Sequence, residues 1–137
     1  LLPNGSSNPR KPKLGGMAMM PVPSGTHVLV ADDDDLVSDV ITMALESHGY
    51  RVTQVAGGRI DPDQPVHARL AILDARVPGR DFATTRRALV ESGVHVLVIS
   101  GEATPPDGVA DEDFLSKPID LDQLLSAVGR LASAPGA

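Results

Sequence analysis

Apolar and polar positions along the chain fall into two regimes. Through residues 1–26 no period holds: five Pro and four Gly lie among Ser and Asn, and such a segment cannot bury enough surface to order itself. From His27 onward, apolar runs of strand length alternate with segments whose apolar residues recur at three- and four-residue spacing. That alternation predicts an α/β domain, a parallel sheet with helices on both faces. Its span is 27–132, with 1–26 a tail or linker and 133–137 a C-terminal tail.

The run His27-Val28-Leu29-Val30-Ala31 reads as a strand covered on both faces. Leu36, Val37, Val40, Ile41, Ala44 and Leu45 predict a first helix that turns out at Gly49. Residues 51–55 are a more polar strand, as at a sheet edge. Pro62 and Pro65 interrupt the crossover at 57–69, so the second helix should be shortened. Residues 70–73 form a third strand, and 82–91 a helix with Asp81 as N-cap and Gly93 as its stop. Residues 94–99 are the most strand-like of all. Pro105, Pro106 and Gly108 leave 101–113 room for about one helical turn, a vestigial fourth helix before a short strand at 114–115. Asp120 and Gln123 resemble a capping box, followed by a stripe of Leu121, Leu124, Leu125, Val128 and Leu131.

Length and charge narrow the function. At 137 residues and 14.3 kDa there is room for one core and one site. The absence of Cys excludes disulfides, thiolate metal sites and a cysteine nucleophile. No apolar run reaches the roughly 20 residues of a membrane helix and no signal pattern opens the chain, so a cytoplasmic protein without membrane contact is expected. The net charge is −6, and the tail carries Arg10, Lys11 and Lys13 with no acid, which leaves −9 for the remainder. A surface so acidic repels phosphates, so no nucleic-acid partner is expected, and Tyr50, Phe82 and Phe114 are too few to stack bases.

In an open parallel sheet, ligands bind at the carboxyl ends of the strands. Here those ends carry the run Asp32-Asp33-Asp34-Asp35, then Asp74, Ser100 and Lys117. Asp34 or Asp35 can be read as a helix cap. Two further acids at the strand end, Asp32 and Asp33, bring only repulsion unless they share a cation; a register of Asp33 with Asp34 is the alternative. An all-oxygen cluster suits Mg2+ or Mn2+, and Lys117 and the metal would neutralise a phosphoryl group from two sides. Pro78 and Gly79 already supply the turn after Asp74. His27, His48, His67 and His95 have no metal spacing and read as structural or solvent-facing.

Four pieces then carry a resemblance: Val28-Leu29-Val30-Ala31-Asp32-Asp33; Leu73-Asp74-Ala75-Arg76-Val77-Pro78-Gly79; Ile99-Ser100; and Phe114-Leu115-Ser116-Lys117-Pro118. In this order the chain resembles the response-regulator receiver domains of two-component signalling over nearly all of 27–132. The resemblance implies a flavodoxin-like, doubly wound sheet of five parallel strands in order 2-1-3-4-5. It implies that Asp74 is the phosphoacceptor, Asp32 and Asp33 the metal-binding pair, and the backbone carbonyl of Arg76 a further metal ligand. Ser100 resembles the switch hydroxyl, Phe114 the aromatic that follows it, and Lys117 the phosphoryl partner, with a cis Lys117-Pro118 bond. Val77 stands where many members have Met, Gly101 where Ala is common, and Phe114 lacks a phenolic OH.

The implied function is a phosphoacceptor switch of a two-component or phosphorelay system, loaded from a phosphohistidine and not itself an enzyme. The implied partners are a histidine kinase or histidine phosphotransfer protein, with a homodimer as a further association. A non-phosphorylated binding module is the alternative, opposed by intact Asp32, Asp33, Asp74, Ser100 and Lys117. An Asp-x-Asp phosphohydrolase is a third reading, opposed by Leu36 and Val37 after the acidic run. Few residues follow the last helix, so the expectation is a stand-alone receiver or the receiver end of a longer protein such as a hybrid kinase. Met17, Met19 and Met20 are candidate starts. Arg76 and Glu102, each two positions beyond a site residue, are expected to pair across the site.

Overall fold

The apolar runs form five parallel strands: β1 (His27–Ala31), β2 (Arg51–Gln54), β3 (Leu70–Asp74), β4 (His95–Ser100) and β5 (Phe114–Ser116). They make one sheet of order β2-β1-β3-β4-β5 in a computed structural model that describes residues 25–55, 60, 67–76 and 81–135. Among the described residues the helices are α1 (Asp35–Glu46), α2 (Phe82–Glu91) and α3 (Leu121–Ser133), with a 3-10 turn at Asp111–Asp113. This is the expected doubly wound order, with the fourth helix reduced as expected, while most of the second crossover lies outside the described residues. The tail to residue 24, the prolines at 62 and 65, and Val77, Pro78 and Gly79 lie outside the described residues.

Successive strand residues point to opposite faces, and both faces are covered, which is why the central strands are apolar throughout. On one face Ile41 and Leu45 of α1 and Leu124, Val128 and Leu131 of α3 pack on Val28, Val30, Ile72, Leu97 and Ile99. On the other, Leu89 of α2 packs with Ala31, Leu73, Val96 and Val98, joined by Ile60 and Val109 from connecting segments. Every residue of β3 is buried, whereas β2 at the edge is largely exposed, as its polar sequence requires.

The first helix is rotated from the expected stripe. Leu36 is 76% exposed and Val40 48%, while Ser38, Ile41 and Leu45 are buried. Apolar residues span more than one face of α1, so their spacing leaves the rotation undetermined. Its start decides it: Asp34 is the N-cap, accepting from the Leu36 and Val37 N–H groups, and Ser38 faces inward. At α2, Asp81 takes the N-cap position but holds the Thr84 hydroxyl at 2.7 Å and no helix N–H. At α3, Asp120 accepts from the Asp122 and Gln123 N–H groups, so Gln123 serves the cap through its backbone.

Between β4 and the 3-10 turn there is no α-helix. A Val109 N–H to Pro106 carbonyl bond closes a turn in which Gly108 takes φ +84°, and Val109 is the one buried side chain of 101–110. At the opposite pole Arg69 donates to the carbonyls of Ala132 and Ala134, and His95 Nε2 to that of Pro135 at 2.7 Å, which caps the carboxyl end of α3. His27 bridges the His67 carbonyl and Thr53, and His48 bonds the Ala44 carbonyl, so these histidines serve structure. No described helix is long and apolar enough to cross a membrane.

Candidate functional site

The sheet register lays out the site as a staircase. Ala31 pairs with Leu73, which sets Asp32 level with Asp74; Asp74 pairs with Ile99, and Ser100 lies one step further; Ser100 pairs with Ser116, and Lys117 follows. Three crossovers thus bring distant residues to one sheet edge. Asp32, Asp33 and Asp74 each offer a carboxylate oxygen, all within 4.8 Å of one another. Asp32 and Asp74 are buried and Asp33 is exposed, so the cluster opens to solvent on the Asp33 side.

Each acid is held by backbone. The Asp34 N–H donates to Asp32 Oδ1 at 2.8 Å, and the Arg76 N–H to Asp74 Oδ1 at 2.9 Å. Lys117 Nζ lies 2.9 Å from Asp74 Oδ2 in an aligned hydrogen bond. It lies 2.8 Å from Asp32 Oδ2, an ion pair without hydrogen-bond alignment, so this buried oxygen has no aligned donor. Burial raises the Asp32 carboxyl above its ordinary range, against the pull of Lys117 and the Asp34 N–H, and the Asp74 charge adds to the rise. Burial also works against the Lys117 charge, but its contacts with Asp32 and Asp74 outweigh it and hold the ammonium above its ordinary range.

One ammonium does not balance three carboxylates. The Asp32 oxygen without an aligned donor, the all-oxygen donor set and the open Asp33 side fit a hard divalent cation such as Mg2+ or Mn2+. Ser100, 2% exposed, accepts the Glu102 N–H on its hydroxyl oxygen, which leaves the hydroxyl proton free to donate. Arg76 pairs with Glu102 at 3.1 Å, both largely exposed, as expected from their places beyond Asp74 and Ser100. Phe114 is half-buried against the α2-side core. The Lys117-Pro118 bond is cis.

Sequence reasoning missed two members. Asp34 was read as a cap, yet its N–H also orients Asp32. Ser38, 3% exposed, donates its hydroxyl to the Asp32 carbonyl at 3.1 Å. No sequence signal marks it, because the rotation of α1 that turns Ser38 inward is not fixed by the apolar spacing.

No protein-family model matches the chain. It is 34% identical over 103 residues to the transcriptional regulatory protein CseB of Streptomyces avermitilis, covering 69% of this chain and 44% of that one. The chain therefore spans less than half the length of that relative. Among solved structures it is similar to the receiver domain of the hybrid histidine kinase CckA, with TM-score 0.60 and 28% identity, over 78% of this chain and 99% of that one. The receiver domain of the sensor histidine kinase PA1611 from Pseudomonas aeruginosa, solved with magnesium in its active-site cleft, has TM-score 0.64 and 24% identity, over 81% of this chain and all of that one.

Proposed function

The chain belongs to the response-regulator receiver domain family of two-component signalling, and from that premise we propose that it takes a phosphoryl group from a partner's phosphohistidine onto Asp74. The observation that carries this reading is the Asp74 carboxylate, 5% exposed at the end of β3, with Asp32 and Asp33 within 4.8 Å and Lys117 at 2.9 Å. It is a signalling domain that assists its own loading, not an enzyme turning over a separate substrate.

Asp32, Asp33 and Asp74, with the Arg76 backbone carbonyl, would hold Mg2+ or Mn2+. Bound there, the cation would supply positive charge to the phosphoryl oxygens. An oxygen of Asp74 forms the new O–P bond while the P–N bond to the partner's imidazole breaks and the electron pair leaves with the nitrogen. Lys117, already on Asp74, turns its ammonium to the incoming phosphoryl group. Ser100 donates a hydrogen bond from its hydroxyl to a phosphoryl oxygen once Asp74 is loaded, and Phe114 follows that movement.

The partner is a histidine kinase or histidine phosphotransfer protein. Beside Lys117, a groove of about 220 Å3 is lined by Leu36, Val37, Val40, Ile41, Pro118 and Ile119. With Met43, 71% exposed, it offers an apolar surface next to the phosphoacceptor on which a partner helix can rest. A small phosphodonor with Mg2+ should add one phosphoryl group by intact mass, and Asp74→Asn or chelation should abolish it. Label retained in Asp74→Asn, or full rate without metal, would overturn the assignment.

A further inference from the structure

Ser38 stands where a core-facing helix residue is ordinarily aliphatic. It shares the buried side of α1 with Ile41 and Leu45. Its hydroxyl does not bond the carbonyl four residues back, one of the usual acceptors for a helical Ser. Instead the hydroxyl reaches six residues back, past the helix start, to the carbonyl of Asp32. That bond is buried, so water cannot replace the hydroxyl if it is lost.

Asp32 is thereby gripped at two points. Its carbonyl is fixed by Ser38, and Oδ1 of its side chain by the Asp34 N–H at 2.8 Å. Both grips belong to the start of α1, and together they fix the Asp32 backbone and side chain as one unit. The atom left without an aligned donor is Oδ2, on the side facing Asp74 and Lys117. Like charges so close would drive a loosely held carboxylate aside, and the two grips oppose that.

We infer that Ser38 is a positioning residue for the metal site, holding Asp32 through its backbone carbonyl so that Oδ2 is presented to the cation. The inference rests on the metal reading above. Outer groups that orient a ligand typically change metal affinity by 10–100-fold when removed, and Ser38, acting through the backbone, belongs at about the lower figure.

The test is calorimetric titration of Mg2+ into the full chain, beside hydrogen exchange of the Asp34 amide in metal-free protein. Ser38→Ala should bind Mg2+ about tenfold more weakly and exchange the Asp34 amide faster. Leu45→Val, which loosens the same helix face away from the site, should keep the parent affinity. Ser38→Thr and Ser38→Val add nearly equal bulk and differ in the hydroxyl; Thr should bind more tightly than Val, which preserves the comparison if Ser38→Ala folds poorly. Parent-like affinity and exchange in Ser38→Ala, equal weakening by Leu45→Val, or equal affinity of the Thr and Val variants would overturn the positioning role alone. A parent chain that binds no Mg2+ would overturn the metal reading as well.

Discussion

Single atoms of this domain make separable predictions. Thr85, fully buried on α2, has a hydroxyl with no hydrogen-bond partner. Thr85→Val removes an unpaired buried polar group at nearly constant shape, so it should stabilise the fold by about 1 kcal/mol, seen as a higher thermal midpoint. A lower midpoint would show that the hydroxyl is satisfied. Lys117 meets both Asp32 and Asp74, so its ammonium competes with a cation for the same oxygens. Lys117→Ala should therefore leave Mg2+ affinity equal or higher while slowing phosphorylation; a large loss of metal affinity would contradict that. The exposed Arg76–Glu102 pair joins the residues two beyond Asp74 and Ser100, and a bulky guanidinium held there would obstruct water approaching an aspartyl phosphate. Arg76→Ala should speed phosphate loss, and an unchanged or slower rate would show that the pair is merely solvated charge.

The elements differ in how far the sequence specifies them. The β-branched runs at 28–30 and 94–99 and the Pro-broken segment at 101–113 are legible because each has few conformational alternatives. The rotation of α1 is not, because Leu36, Val40 and Met43 make a second apolar face as plausible as the one that Ser38, Ile41 and Leu45 bury. At the site, strand ends mark Asp32, Asp74, Ser100 and Lys117 in the sequence itself, but the Lys117 to Asp32 contact joins residues far apart in the chain and emerges only from the fold. The loop after Ser100 yields a prediction of its own. Among residues 101–110, the backbone N–H groups of Glu102 and Val109 have hydrogen-bond partners. The amides of Ala103, Thr104, Asp107 and Gly108 should exchange quickly in the unmodified protein and slow on phosphorylation, as Ser100 draws the loop behind it. Strong protection before phosphorylation would mean a stable helix and refute this.

For the molecule as a whole, Tyr50 is a reporter supplied by composition, being the one Tyr in a chain without Trp. Its ring joins the core between the sheet and the two helices α1 and α3, and burial raises its phenol above the ordinary 10.0. An unfolded chain loses that proton near 10.0 and the folded chain later, so between those values the unfolded state binds fewer protons. Stability contributed by Tyr50 is intact below this window and falls as pH rises through it. Tyrosinate absorbance should therefore appear above pH 10.0 and together with loss of helix by circular dichroism; a phenol titrating at its ordinary value in an intact fold would disprove the coupling.

The one-residue steps between strand ends have a consequence for how such a protein can change. Each functional side chain is reached by counting along its own strand from a shared ladder, so the sheet acts as a vernier, and an added residue in any strand moves its end by about 3.3 Å and turns it to the other face. Connections carry no such count. Insertions in the crossover between β2 and β3 or in the loop before β5 should be absorbed, whereas one extra residue within β3 should silence Asp74 even if the core repacks around it. Natural variation in length is thereby channelled into the loops, and with it the freedom to meet different partners around fixed chemistry.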